Sequence, residues 1–117
     1  MENLQHENVR FYNKKVKESL ASFDETTIAR FVTQLEMVSW GATPTQVPKE
    51  LKHTVGPGAF ELKRNGKPAK RCIYVIEEQG KVLVLHVFKK TCDGVDKKNM
   101  ATAKKRYKAW KESQQES

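Results

Sequence analysis

Between Val82 and Phe88 every residue except His86 is apolar. The run is far short of the roughly 20 residues that a membrane-crossing helix needs. Its branched aliphatic residues, so nearly continuous, mark a strand lying centrally in a sheet. Such a strand needs partners, and the preceding sequence supplies them. Ala59 to Arg64 and Lys70 to Glu77 read as two further strands. Asn65-Gly66, extended by Lys67 and Pro68, forms one turn, and Gln79-Gly80 forms the next, before the strand from Lys81 to Phe88. Sequential tight connections predict an antiparallel meander with the last strand central.

Helical periodicity flanks the meander. Val9 to Tyr12 is a short apolar and aromatic run that reads as a first strand, ended at Asn13, which can cap the helix carrying Val16, Leu20 and Phe23. A second helix starts at the N-cap Asp24, places Ile28, Phe31, Val32, Leu35 and Val38 on one stripe, and stops at Gly41. The two form a helical hairpin. Residues 41–58 hold three prolines and three glycines, which forbids a long regular element and leaves a connection with one turn around Lys49 to His53. A connection of that length in a small domain is either packed or functional. After the turn at Asp93-Gly94, a last helix from about Asp96 to Glu112 repeats Met100, Ala103, Tyr107 and Trp110 on its buried side, and residues 113–117 form a frayed tail. The expected architecture is one α+β domain over residues 1–117, with helices packed on an antiparallel sheet.

Charge is distributed unevenly. Residues 1–48 carry five Lys or Arg against six Asp or Glu, whereas residues 49–117 carry 17 against 8, so the whole formal charge of +8 lies in the second half. That asymmetry is the footprint expected for nucleic acid, an anionic membrane surface or an acidic protein partner. The amino terminus has early acids and no apolar stretch, so the chain is expected in the cytoplasm without a secretory signal. Two cysteines, Cys72 and Cys92, make neither a disulfide scaffold nor a thiolate zinc site, and the histidines show no ligand spacing.

The succession Phe60-Glu61-Leu62-Lys63, a glycine turn, Arg71 followed by Tyr74, then Val84-Leu85-His86-Val87-Phe88-Lys89-Lys90-Thr91 and a helix carrying Ala103 and Arg106 resembles the HigB-like branch of the RelE/ParE toxin superfamily. Gly41, Pro48 and Leu51 match the glycine, proline and leucine that precede the Glu-Leu-Arg strand of that branch. The similarity runs from Val9 to about Trp110. These are toxins of type II toxin–antitoxin modules, also found in phage. The resemblance implies a RelE-like α+β fold, its sheet antiparallel with a mixed edge possible, and a concave basic face. It further implies metal-free and cofactor-free cleavage of messenger RNA, commonly on the ribosome, and a cognate antitoxin that joins the toxin in a hetero-oligomer. Lys63 stands where the family has the motif's arginine, which keeps the charge and loses the planar phosphate grip. The ParE branch shares the fold and poisons DNA gyrase, so a gyrase poison or a non-catalytic basic binding module is the alternative.

Metal-free RNA cleavage needs a base for the 2′-hydroxyl proton, cations for the phosphoryl oxygens and an acid for the leaving 5′-oxygen. Arg71, with its fork of donors, is the leading candidate, followed by Lys63, by Lys89 and Lys90 at the end of the apolar strand, and by His86. Lys89 and Lys90 point to opposite faces if the strand persists, so only one of them belongs to the site. His86 shares its strand face with Val82, Val84 and Phe88 under the same alternation, which also fits a hydrogen-bonded core histidine. Glu61 can be a carboxylate base, but it can equally orient Arg71 or lower the local positive potential, and it is not counted among the catalytic candidates. Arg64, Lys97, Lys98, Lys104, Lys105, Arg106, Lys108 and Lys111 are the candidates for phosphate contacts along RNA. Tyr74 is a candidate base-stacking ring, whereas Tyr107 and Trp110 lie on the core stripe.

Overall fold

The computed structural model describes residues 8–78 and 80–115. Its elements are β1 (Val9–Phe11), α1 (Lys14–Ala21), α2 (Glu25–Ser39), β2 (Lys49–Glu50), β3 (Ala59–Arg64), β4 (Ala69–Ile76), β5 (Val82–Lys90) and α3 (Lys97–Gln115). Most of the amino terminus and Gln79 of the second turn lie outside the described residues, as do the last two positions of the tail. α3 itself persists to Gln115.

The helix starts follow from their caps. Asn13 accepts a hydrogen bond from the Val16 amide at 2.9 Å, and Asp24 accepts from the Thr27 amide at 3.1 Å and from its hydroxyl at 2.7 Å. Those Thr27 bonds, the hydroxyl's first, hold the Asp24 carboxyl at about 2. α2 ends where Gly41 takes φ +78°, with the Ala42 amide returning to the Met37 carbonyl at 2.9 Å. Glycine suits this left-handed closing turn because it has no Cβ to clash.

The sheet order is β1-β5-β4-β3-β2. β3, β4 and β5 form the expected antiparallel meander, and β1 adds to β5 in parallel, with Val9 opposite Val82 and Phe11 opposite Val84. The sheet is therefore mixed at one edge. β4 is the middle strand and β5 is interior, flanked on both sides. β2, only two residues long, edges the other side within the connecting segment.

Both faces of the sheet are covered. α1 and α2 pack Val16, Leu20, Phe31 and Leu35 against Leu62, Cys72, Tyr74 and Val84 on one side. On the other, Ala103 and Tyr107 of α3, with Leu51 and Val55 of the connection, cover Ile73, Val75, Leu85 and Phe88. Tyr107 ties the connection down by donating its hydroxyl to the Pro57 carbonyl at 2.6 Å. Residues 41–58 are thus held against the domain.

One irregularity matters for the site. The pairing passes from Ile73 opposite His86 to Tyr74 opposite Val84, so Leu85 is an extra residue in β5. This bulge breaks strict alternation. Leu85 and Phe88 share the α3 side, while Val82, Val84 and Val87 join the α1–α2 side. His86 stacks on Phe88 with ring centroids 5.0 Å apart and bonds to α3, so it lies with Phe88 and not with Val82 and Val84, contrary to the expectation from simple alternation.

Candidate functional site

The alternation that buries Ile73 and Phe88 under α3 brings a row of charges to the same side of the sheet. Glu61 and Lys63 come from β3, Arg71 from β4 and Lys90 from the end of β5. Lys63 is directly opposite Arg71, which is itself opposite Phe88, while Lys49 of β2 is opposite Glu61. These side chains line a cleft of about 320 Å³, closed by Leu51, Thr54 and residues 94–96. A second hollow of about 460 Å³, running past the β3–β4 turn to Cys92 and Asp93, shares Arg71 and Lys90 with it.

Glu61 is only 5% exposed, in a strand position between Phe60 and Leu62. Burial pushes its carboxyl above the usual carboxylate range, and the positive charges of Lys63, Arg71, Lys49 and Lys90 oppose that rise. Among the described residues no lysine, arginine or histidine nitrogen lies within 4.0 Å to pair with it. The carboxylate is surrounded by cations and joined to none of them. Arg71, 8% exposed, bonds through Nη1 to the Lys70 carbonyl at 3.0 Å. Among the described residues no other hydrogen bond engages its guanidinium. Glu77 is no partner for Arg71, because its carboxylate takes Arg10 at 2.9 Å and the Trp110 indole at 3.2 Å.

His86 belongs to a separate network. Its Nε2 donates to Asn99 Oδ1 at 2.7 Å, and its Nδ1 accepts from Arg106 Nη1 at 3.2 Å. Asn99 is fixed in turn by Asp96, the cap of α3, through its amide nitrogens at 3.2 and 2.8 Å. Burial, aided by the Arg106 charge, holds the imidazole below its ordinary value against the opposing Asn99 bond and Asp96 charge. Both ring nitrogens are engaged in holding α3 to the bulge. Arg106 completes the junction by bonding the Leu85 carbonyl at 2.8 Å and lying over the Tyr12 ring, 5.3 Å from its centroid.

β5 persists through Lys89 and Lys90, so the two lysines diverge as alternation requires. Lys90 lines the cleft, and Lys89 is exposed and does not. Arg64 lines a different hollow, with Lys63 and Arg30. Lys97, Lys98, Lys104, Lys105 and Lys108 are exposed along α3, and Lys111 lies over the Trp110 ring. Arg106 stands apart from them, half-buried in the His86 junction. Tyr74 is corrected from a base-stacking candidate to a core residue. It is 1% exposed and stacks on Phe60, and burial raises its hydroxyl's pKa. Cys72 is buried, which pushes its thiol up, and Cys92 is exposed.

Two residues of the cleft carried little signal. Lys49 sits in a connection whose pairing no local pattern announces. Glu61 looks like an outward strand position until α3 and residues 51–55 cover that face. The useful sign is a single acid alternating with lysine and arginine on adjoining strands. Among the described residues no three His, Cys, Asp or Glu side chains gather as a metal site, and no helix is long and apolar enough to cross a membrane.

The family model described as Phage derived protein Gp49-like (DUF891) matches residues 18–108, from within α1 to the penultimate turns of α3. None of the curated proteins compared with the chain is a match.

Proposed function

The chain belongs to the Gp49-like family of phage-derived proteins, a family associated with RelE-like toxins of toxin–antitoxin modules, and we propose that it is the toxin of such a module, an endoribonuclease that cuts messenger RNA on the translating ribosome. The observation that carries this reading is the buried, unpaired Glu61 carboxylate facing Arg71, Lys63 and Lys90 across one cleft.

In the proposed reaction, Glu61 takes the proton of a 2′-hydroxyl, which attacks the adjacent phosphorus. Its raised pKa makes it a stronger base than an exposed carboxylate. Arg71 offers its fork to the non-bridging oxygens and is held ready by the Lys70 carbonyl. Lys63 and Lys90 flank the phosphate from adjoining strands, and one of their ammonium groups protonates the departing 5′-oxygen. The products are a 2′,3′-cyclic phosphate and a 5′-hydroxyl. Lys97, Lys98, Lys104, Lys105 and Lys108 bind neighbouring phosphates along α3 without reading sequence. A cognate antitoxin neutralises the toxin by covering the same cationic surface.

The test is addition of the protein to a translating extract with a defined message, new 5′ ends being mapped by primer extension. Cuts that require translation and vanish with Arg71→Ala support the reading. An intact message with unimpaired translation overturns it.

A further inference from the structure

The cleft has two unlike sides. Lys63, Arg71 and Lys90 line it from the strands, whereas α3 and the loop before it contribute Val95 and Met100. Asp96 caps α3 by accepting from the Asn99 amide at 3.2 Å, so Val95 stands one residue before the cap and Met100 four residues after it. Apolar residues at those two positions lie side by side across the first turn of a helix. The fold uses this pair only in part. Met100 is half-buried against the core that holds Leu51 and Phe88, and Val95 is 64% exposed. What remains is an apolar plate on the lip of a cationic cleft.

The sheet register places the plate relative to the cations. Lys63, Arg71 and Phe88 are successive cross-strand partners and so form one row across β3, β4 and β5. Adjacent strands lie about 4.8 Å apart, a spacing comparable to the step from phosphate to base within a nucleotide. Phe88 therefore follows Arg71 at one such step, with Met100 packed against the same core cluster. On the other side of Lys63 the row ends, because β2 pairs only with Phe60 and Glu61. A phosphate set between Lys63 and Arg71 thus finds apolar surface for its base in one direction only, towards Phe88, Met100 and Val95.

We propose that Val95 and Met100 form a nucleobase subsite, which holds the base of the nucleotide whose phosphate lies between Lys63 and Arg71 by its ring rather than by the groups on its edge. The inference rests on the RNA-cleaving reading above. Covering the two exposed apolar surfaces with a base supplies affinity that every base shares. Thr54 is the one neutral polar side chain on the lining, and a hydroxyl both donates and accepts, so it suits the edge of any base. Asp96 does not read the edge either, because both of its carboxylate oxygens are engaged with Asn99.

The experiment is isothermal titration calorimetry of the whole protein with the 3′,5′-bisphosphates of adenosine, cytidine and uridine, and with 1,4-anhydroribitol 3,5-bisphosphate, which has the same phosphates and no base. The three nucleotides should bind within about threefold of one another and about tenfold tighter than the base-free compound, the gain expected from covering about 50 Å² of apolar surface. Val95→Ser, a change at an exposed position, should weaken the nucleotides by about threefold and leave the base-free compound unaffected. A base-free compound that binds as well as the nucleotides, or a Val95→Ser loss shared by all four ligands, overturns the subsite and leaves the RNA reading standing. A preference of more than about tenfold for one base overturns recognition by the ring. Failure of all four ligands to bind at millimolar concentration overturns both the subsite and the phosphate site on which it depends.

Discussion

Lys63 and Arg71 are direct cross-strand partners, and Glu61, two residues before Lys63 on the same face, is buried between them and Lys49 without an ion pair to either side. Two cations placed opposite one another repel. The arrangement is held by the surrounding sheet and is suited to an anion that bridges them.

Arg71→Ala should lower the single-turnover cleavage rate by about 10²- to 10³-fold, the usual effect of removing one donor to a developing oxyanion. Arg71→Lys should recover part of that loss, since it restores charge without the planar fork. Anisotropy titration of uncleavable RNA is the accompanying check. Affinity should fall much less than rate, because the exposed lysines of α3 still bind phosphates.

Glu61→Gln should lower the rate by about 10²- to 10⁴-fold, the range of a general base, and should remove the rise of rate with pH that accompanies its ionisation. Stability should move the other way. A carboxyl whose folded pKa is raised contributes stability that is full below its ordinary value of 4.5 and is lost as pH rises through the folded value. Once ionised, the wild-type carboxylate is therefore a net burden. Thermal melts across the pH range should find Glu61→Gln at least as stable as wild type from pH 7 upward.

His86 is expected to reveal itself in stability. Its folded pKa is lowered, so its contribution is present above the ordinary value of 6.5 and is lost as pH falls through the folded value. Protonation at Nδ1 would set a donor against the Arg106 guanidinium. Denaturant unfolding at pH 7.5 and pH 5 should show wild type losing stability in acid, and His86→Ala should flatten that loss. At pH 7.5 the substitution should destabilise by about 1–3 kcal/mol, because Asn99 and Arg106 lose their partner.

Gly56→Ala tests the docking of the connection. A Cβ there would lie 2.3 Å from Cε1 of the Tyr107 ring, which is buried and bonded to Pro57. Urea unfolding should record a loss of about 1–3 kcal/mol, as for overpacking elsewhere in a core. An unchanged midpoint would mean that the connection lifts freely from α3.

Much of this was legible in the sequence, and the exceptions have physical causes. The caps Asn13 and Asp24, the meander and the buried stripe of α3 are local signals, and each stands where periodicity put it. The pairing of β1 with β5 depends on contacts across most of the chain, and three residues from Val9 to Phe11 encode no partner. The bulge at Leu85 is a relation between two strands, so alternation read along β5 alone assigned His86 the wrong neighbours. Arg71, Lys63 and Lys90 were legible as a group from charge on adjoining strands. The burial of Glu61 was not, since the cover comes from α3 and the connection.

The measurement that most directly tests the cleft as a ribonuclease site is the chemistry of the ends it makes. Messenger RNA recovered from a translating extract would be probed for a 2′,3′-cyclic phosphate on the upstream fragment and a 5′-hydroxyl on the downstream one, with wild type and Glu61→Gln side by side. The account predicts both ends with wild type and their loss with Glu61→Gln. Fragments bearing 5′-phosphates, or cleavage that Glu61→Gln leaves intact, would contradict it.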